Sequence, residues 1–347
     1  MSGYTMMVGS GSYAAQLRRE LAQRNRHWAR GRAHVESYGT EAVVVYPPVD
    51  SSGSPRHGNF FDPAYAAILQ NPEWMRRLKK AHTGRRTLPR ADRPWCELDS
   101  STSSDALLMN VFCTPGVMES PQVRSFLGVD NGADVAFGWK ARVPLKNGRT
   151  DTTEVDLRWG SLLIEAKLTE ADFQTRAAAV VEGYRDFEEV FCPELLPRMA
   201  LREQRRRIAA EFAEAYTQEW EETEGSSHPD VAAVAREYQE GLVEQEWSSL
   251  PAIPAYAGYQ LIRNVLAAYA HGCSFCVVHD QRRPDLREAW FHVMAAVKSA
   301  DMRVRSKVMT WQEVAALLPQ ELQEYLEVKY GIVAPGKAAA KPEQDEP

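Results

Sequence analysis

Polar and apolar residues alternate in three short runs near the middle of the chain: ADVAFGWKARVPL from Ala133, TTEVDLRWG from Thr152 and SLLIEAKLTE from Ser161. A period of two predicts β-strands, and the turn signals Lys146-Asn147-Gly148 and Trp159-Gly160 separate them. Around this centre the period lengthens to that of helices. Tyr13 to about Ser37 reads as a basic helix with Leu17, Leu21 and Trp28 as its apolar positions. The segment PAYAAILQNPEWMRRLKKAH reads as helix interrupted at Pro72. DSSTSSDALLMNVFC begins with serines and aspartates suited to N-capping a helix that carries Ala106, Leu107, Met109 and Val111.

After Thr169 about eighty residues read as helical, LREQRRRIAAEFAEAYTQEWEE most clearly, with a break at GSSHPD. Helix is expected again at AYAGYQLIRNVLAAYAH, strand at CSFCVVHD, and helix at LREAWFHVMAAV and QELQEYLEVKYG. The tail from Pro335 is small, polar and expected to be disordered. The predicted organisation is a basic, mainly helical region over 1–95, an α/β domain over 96–334 with a helical insertion at about 170–250, and a tail over 335–347.

Within the second and third runs, register decides which side chains meet. A two-residue turn at Trp159-Gly160, or a four-residue turn from Arg158 to Ser161, pairs Leu157 with Leu162 and Asp156 with Leu163. Val155, Leu157, Leu162, Ile164 and Ala166 then share an apolar face. Glu154, Asp156, Glu165 and Lys167 share the other, where Leu163 is the exception. Two carboxylates and a lysine on one face suit phosphodiester hydrolysis, in which a divalent cation shares charge with the attacking and leaving oxygens. Magnesium takes oxygen ligands and keeps several waters, so Asp156 and Glu165 suffice as protein carboxylates, with the Ala166 carbonyl as a further ligand and manganese as an alternative ion. Lys167 would orient water and offset transition-state charge. An E-x-K triplet also decorates solvated hairpins; here an acid lies one strand upstream and helix and strand follow.

The order helix, three strands, helix, strand, with D-x8-E-x-K on the second and third strands, resembles the PD-(D/E)XK or restriction-endonuclease-like superfamily over about residues 97–285. The resemblance implies a mixed sheet in αβββαβ order, with Asp156, Glu165 and Lys167 as the motif's acid, second acid and lysine. Many members add an upstream helical glutamate, for which Glu97 is the match and Glu119 the rival. In the returning helix Gln260 and Arg263 lie three apart on one face, which in some members approaches the active site. His279 and Asp280 close the last strand and would look into the same cleft, or be polar for ordinary strand-end reasons. Ser103-Ser104-Asp105-Ala106 to Asn110 resembles a segment of bacterial proteins described as restriction endonucleases.

Charge refines the picture of partners. The net charge of −6 hides an asymmetry: residues 1–100 carry 15 Lys/Arg against 9 Asp/Glu. Arg76, Arg77, Lys79, Lys80, Arg85, Arg86, Arg90 and Arg93 are dense enough to meet several phosphates, with Trp74 or Trp95 available to stack or pack. DNA is the expected partner, and a homodimer would cut both strands of a site. An endonuclease of restriction or defence type, an exonuclease or repair nuclease, and a non-cutting DNA-binding protein all fit these residues.

With 44% apolar and 25% charged residues the composition is that of a globular protein. No run reaches the roughly eighteen apolar residues of a membrane span, and the reading is cytoplasmic. Five scattered cysteines, including a lone C-x-x-C at Cys273 and Cys276, fit reduced thiols better than disulfides or zinc.

Overall fold

A computed structural model describes residues 13–30, 35–36, 44–45, 53, 55–80, 96–200 and 253–336. Its centre is a five-stranded mixed sheet of β1 (Val135–Lys140), β2 (Glu154–Trp159), β3 (Leu162–Ala166), β4 (Ser274–His279) and β5 (Ser306–Thr310), in the order β5-β4-β3-β2-β1. The first three strands form an antiparallel meander, while β4 runs parallel to both β3 and β5. A parallel neighbour needs a crossover, and helix Tyr259–Ala270 supplies it.

Helices cover both faces. Against one pack α1 (Tyr13–Ala29), α4 (Ser104–Phe112), α5 (Pro121–Leu127) and α8 (Gln320–Tyr330), sharing a core with Leu157, Trp159, Leu162, Ile164 and Ala166. Between α1 and α4 in the chain lie α2 (Asp62–Gln70) and α3 (Pro72–Arg77), separated at Asn71, whose side chain caps α3 by accepting from the Glu73 and Trp74 amides. Against the other face pack α6 (Tyr259–Ala270) and α7 (Pro284–Ala295), with Leu163, Phe275 and Val277. The predicted polar face of the hairpin is therefore covered by α6, and Leu163 belongs there as a core residue.

The hairpin register differs from the expected one. Trp159 pairs with Leu162, Arg158 with Leu163 and Leu157 with Ile164, so the turn is Gly160-Ser161. Gly160 has φ +58°, and a Cβ on it would stand 2.8 Å from the Ala133 Cβ, which explains why the turn starts there. The shift is by two residues, so every side chain keeps its face, but Asp156 now falls beside Glu165 instead of Leu163.

Val155 is a second correction: it joins the α6-side core, opposite Leu157. Between their cross-strand partners Trp139 and Phe137 lies Gly138 at φ +62°, and the kink there turns β1 and β2 over. The described part of the region after Thr169, residues 170–200 and 253–257, is mostly not the helix expected there. Thr175–Ala177, Pro254–Ala257 and Arg198–Ala200 form a small antiparallel sheet, with single helical turns at Ala178–Val181 and Phe187–Val190. Gly183, Pro193 and Pro197 interrupt helical periodicity in this stretch. Residues 201–252, the bulk of the expected insertion, lie outside the described residues, as do 337–347.

Candidate active site

The sheet's kinked end brings the charged residues together. Asp156 Oδ2 accepts a hydrogen bond from the Ala166 amide at 2.8 Å, while Oδ1 accepts none among the described residues. Glu165 is almost fully buried, taking the Lys167 ammonium on Oε1 at 2.7 Å and the Asn264 amide on Oε2 at 2.8 Å. Asn264 is oriented in turn by Arg263, whose guanidinium also donates to the Thr153 and Glu154 carbonyls at 2.7 Å each. Arg263 thus ties α6 to the entry of β2, and Asn264 passes that constraint to Glu165.

Two residues that sequence reasoning passed over enter here. Asp105 sits in the first turn of α4, behind its N-cap Ser103, and its charge bears on Asp156. Glu170 takes the Ser104 hydroxyl on one oxygen and the Leu168 amide, at 2.7 Å, on the other. The serine-rich α4 start singled out for capping therefore also reaches the site.

The electrostatics follow from crowding. Burial, then the charges of Glu165 and Asp105, push the Asp156 carboxyl well above the usual carboxylate range, against the opposing Lys167 ammonium and Ala166 amide. Burial alone would deprotonate Lys167, but Glu165, Glu170 and Asp156 outweigh it and hold the ammonium protonated. For Glu170 burial is likewise outweighed, by Lys167, Ser104 and backbone amides, and its carboxyl lies below the usual range.

A basic rim adjoins this acid cluster. Arg77 of α3 bridges Asp105 at 2.6 Å and Glu154 at 2.9 Å, lying over Gly138, where a Cβ would stand 2.1 Å from its Nη1. Lys80 holds Glu97 at 2.8 Å and stands 3.7 Å from both Asp105 and Glu154. Glu97 thus reaches the cluster through Lys80, whereas Glu119 is exposed beyond α4.

The other expected residues are dispersed. Gln260 donates its backbone amide to Phe173 O at 2.9 Å, one helical turn before Asn264, and its side chain makes no hydrogen bond among the described residues. Asp280 is engaged by Arg282 at 2.6 Å and Gln312 at 3.1 Å. His279 sets Nδ1 against Asp280 O at 2.8 Å and leaves Nε2 buried without a partner among the described residues. Arg76 pairs with Glu73 on the surface, and Lys79 is exposed. Arg85, Arg86, Arg90, Arg93 and Trp95 lie outside the described residues. Trp74 packs edge-on against Phe137 with centroids 5.8 Å apart.

Among the described residues no three His, Cys, Asp or Glu side chains form a metal-binding group. The oxygen donors on offer are the two neighbouring carboxylates of Asp156 and Glu165 and nearby main-chain carbonyls. The cysteines of the described region are all free thiols.

A family model described as restriction endonuclease associating with ARP matches residues 22–331. The chain belongs to that family. Membership in a restriction endonuclease family brings a nuclease role and, with it, DNA as the substrate. The match runs from α1 to the end of α8 and so takes in the whole sheet and both helical layers. No curated protein and no solved structure matches this restriction-endonuclease-family chain. Among the described residues no helix is long and apolar enough to cross a membrane.

Proposed function

We propose that the protein is a metal-dependent DNA endonuclease of restriction or defence type, built on a PD-(D/E)XK core with Asp156, Glu165 and Lys167 as its catalytic residues. The observation that carries this reading is the convergence of the two carboxylates across the β2–β3 hairpin, with the Lys167 ammonium 2.7 Å from Glu165. The sheet order, with α4 ahead of the meander and α6 crossing to a parallel β4, supports it.

A magnesium ion fits the donor set. Asp156 retains a carboxylate oxygen without a hydrogen bond among the described residues, and burial together with the Glu165 and Asp105 charges disfavours its anion, a penalty that a cation relieves. Asp156 and Glu165 would hold the ion, with the Ala166 carbonyl as a further ligand, and manganese would substitute. When bound it supplies Lewis acidity and lowers the pKa of coordinated water. The chain's own residues do the rest. Lys167, kept protonated by its acidic neighbours, stabilises negative charge developing on the phosphate and orients water. Asn264 and Arg263 are positioning residues that fix the Glu165 carboxylate. Asp105, on α4, is the better geometric match for the upstream helical acid than Glu97.

The test incubates the purified protein, Lys167→Ala and Asp156→Ala with supercoiled and linear DNA in magnesium or EDTA. Magnesium-dependent nicking of circles, lost in both variants, is expected. Cutting that needs free ends would replace the endonuclease reading with an exonuclease. Equal DNA binding by all three proteins without cutting, across several DNAs and metals, would leave a binding protein.

A further inference from the structure

A cavity of about 440 Å³ opens beside α6, walled by the 143–153 hairpin, the strand Thr175–Ala177 and the helical turn Ala178–Val181. It is separate from the carboxylate cluster but adjacent to it. Thr153, on its wall, leads into β2 three residues before Asp156, about 10 Å at the rise of an extended chain. On the opposite wall Tyr259 starts the helix that carries Asn264 to Glu165.

The lining chemistry is directional. Tyr184 donates to Asp151 Oδ2 at 2.5 Å, and Tyr259 lies 2.9 Å from the Tyr184 hydroxyl. Since the Tyr184 proton goes to Asp151, Tyr259 donates to Tyr184, and the relay ends on a carboxylate. Burial works against that charge, but Thr153 and Tyr184 outweigh it and keep Asp151 ionised. Thr153 fills Asp151 Oδ1 with its amide and hydroxyl, at 2.8 and 2.5 Å, so the acceptor capacity left on the wall is on Oδ2, which takes only the Tyr184 proton among the described residues and can receive a ligand edge that donates. At the mouth the exposed Arg176 lies over the Tyr259 ring, 5.7 Å from its centroid, with no ion pair among the described residues. An unpaired guanidinium above an aromatic and acceptor-rich chamber suits a planar group carrying a phosphate.

We infer that this cavity receives a single unstacked nucleobase of the substrate strand, its amino edge on Asp151 and its phosphate on Arg176. The inference rests on the nuclease reading for the identity of the strand. The volume is that of a small-ligand site, and a carboxylate acceptor matches an exocyclic amine such as cytosine N4. At about 3.4 Å of rise per nucleotide, the span from Thr153 to Asp156 places the base within about three nucleotides of the scissile phosphate.

The experiment is saturation-transfer NMR on the full-length protein in EDTA, with dCMP, dAMP, dGMP and TMP as probes. The amino-bearing nucleotides are expected to bind in preference to TMP. Arg176→Ala, at an exposed position, weakens them on the order of tenfold, as loss of a charged phosphate contact does. Asp151→Asn removes the discrimination against TMP. Lys167→Ala, outside the cavity, leaves nucleotide binding unchanged while slowing cleavage on the order of a hundredfold or more. Equal binding of all four nucleotides, absence of binding, or indifference to both cavity substitutions would overturn the inference. Nucleotide selection by a parent protein that cuts no DNA in magnesium or manganese would sink the nuclease reading and leave the cavity assignment standing.

Discussion

Asp156 and Asp280 lie toward the same region of the sheet, and the contrast between them separates the carboxylate proposed to work from one that is structural. Asp280, fully buried, accepts four hydrogen bonds: from the Arg282 amide, Nε and Nη2, and from Gln312. Its arginine goes on to Glu20 at 2.7 Å and the Tyr330 carbonyl at 2.7 Å, tying β4 to α1 and α8. Asp156 accepts one hydrogen bond and has two further carboxylates bearing on it. Saturation makes the first a brace. On the proposed reading, under-saturation of the second is what lets it take a cation, at a cost in folding free energy.

The contrast is broken most severely at the brace. Asp280→Ala removes a fully buried acceptor of four hydrogen bonds and leaves the half-buried Arg282 guanidinium with only Glu20 and the Tyr330 carbonyl, which should cost about 3 kcal/mol, read by urea unfolding; a variant as stable as the parent would show the network to be idle. Next is the lysine. Lys167→Ala should lower the DNA cleavage rate on the order of a hundredfold to a thousandfold while DNA affinity in EDTA holds, and a loss of affinity instead would make Lys167 a binding residue.

Asp156→Asn sharpens the comparison, because it removes a strained charge and keeps the Ala166 hydrogen-bond acceptor. Metal-free, its Tm should rise by about 2–4 °C for each kcal/mol relieved, whereas the same change at Asp280 should lower Tm. Magnesium should stabilise the parent and not this variant. The smallest effect is in pH. A carboxyl whose folded pKa is raised stabilises the fold below its unfolded value, and that contribution is lost as pH rises through the folded pKa. Metal-free stability should therefore fall from the usual carboxylate range upward, and magnesium affinity, which needs the proton gone, should climb over the same window. A metal-free pH profile identical in Asp156→Asn would assign that slope to another group.

The period-two runs made the meander readable, since β-strands that bury one face must alternate, and Ser103 was readable as a cap because its hydroxyl has one use there. Strand β5 was missed because SKVMT is half-buried throughout and lacks alternation. The two-residue register error moved no side chain to the other face, Val155 changing face through the kink at Gly138, but it hid the placing of Asp156 beside Glu165. On α6, Gln260 and Arg263 were favoured where Asn264 meets Glu165; one residue turns a helix by about 100°, which periodicity without a fixed neighbour does not resolve. Asp105 carried a signal, an acid in the first turn of the helix ahead of the strands, that its capping context masked. Arg77 and Lys80 illustrate the limit of counting charge: both turn inward onto Asp105, Glu97 and Glu154.

The Trp311 indole donates to the Lys167 carbonyl at 3.1 Å, and α8, with Lys329 reaching Asn25 and Gly58, clamps α1 to the sheet. Both come late in the order of synthesis. A ribosome emits the hairpin with its acids and lysine well before the indole that anchors the lysine's backbone, so a nascent chain holds the side chains proposed as catalytic without the frame that fixes them. On the proposed reading, the hairpin is competent only once Trp311 and α8 have been made and packed against it.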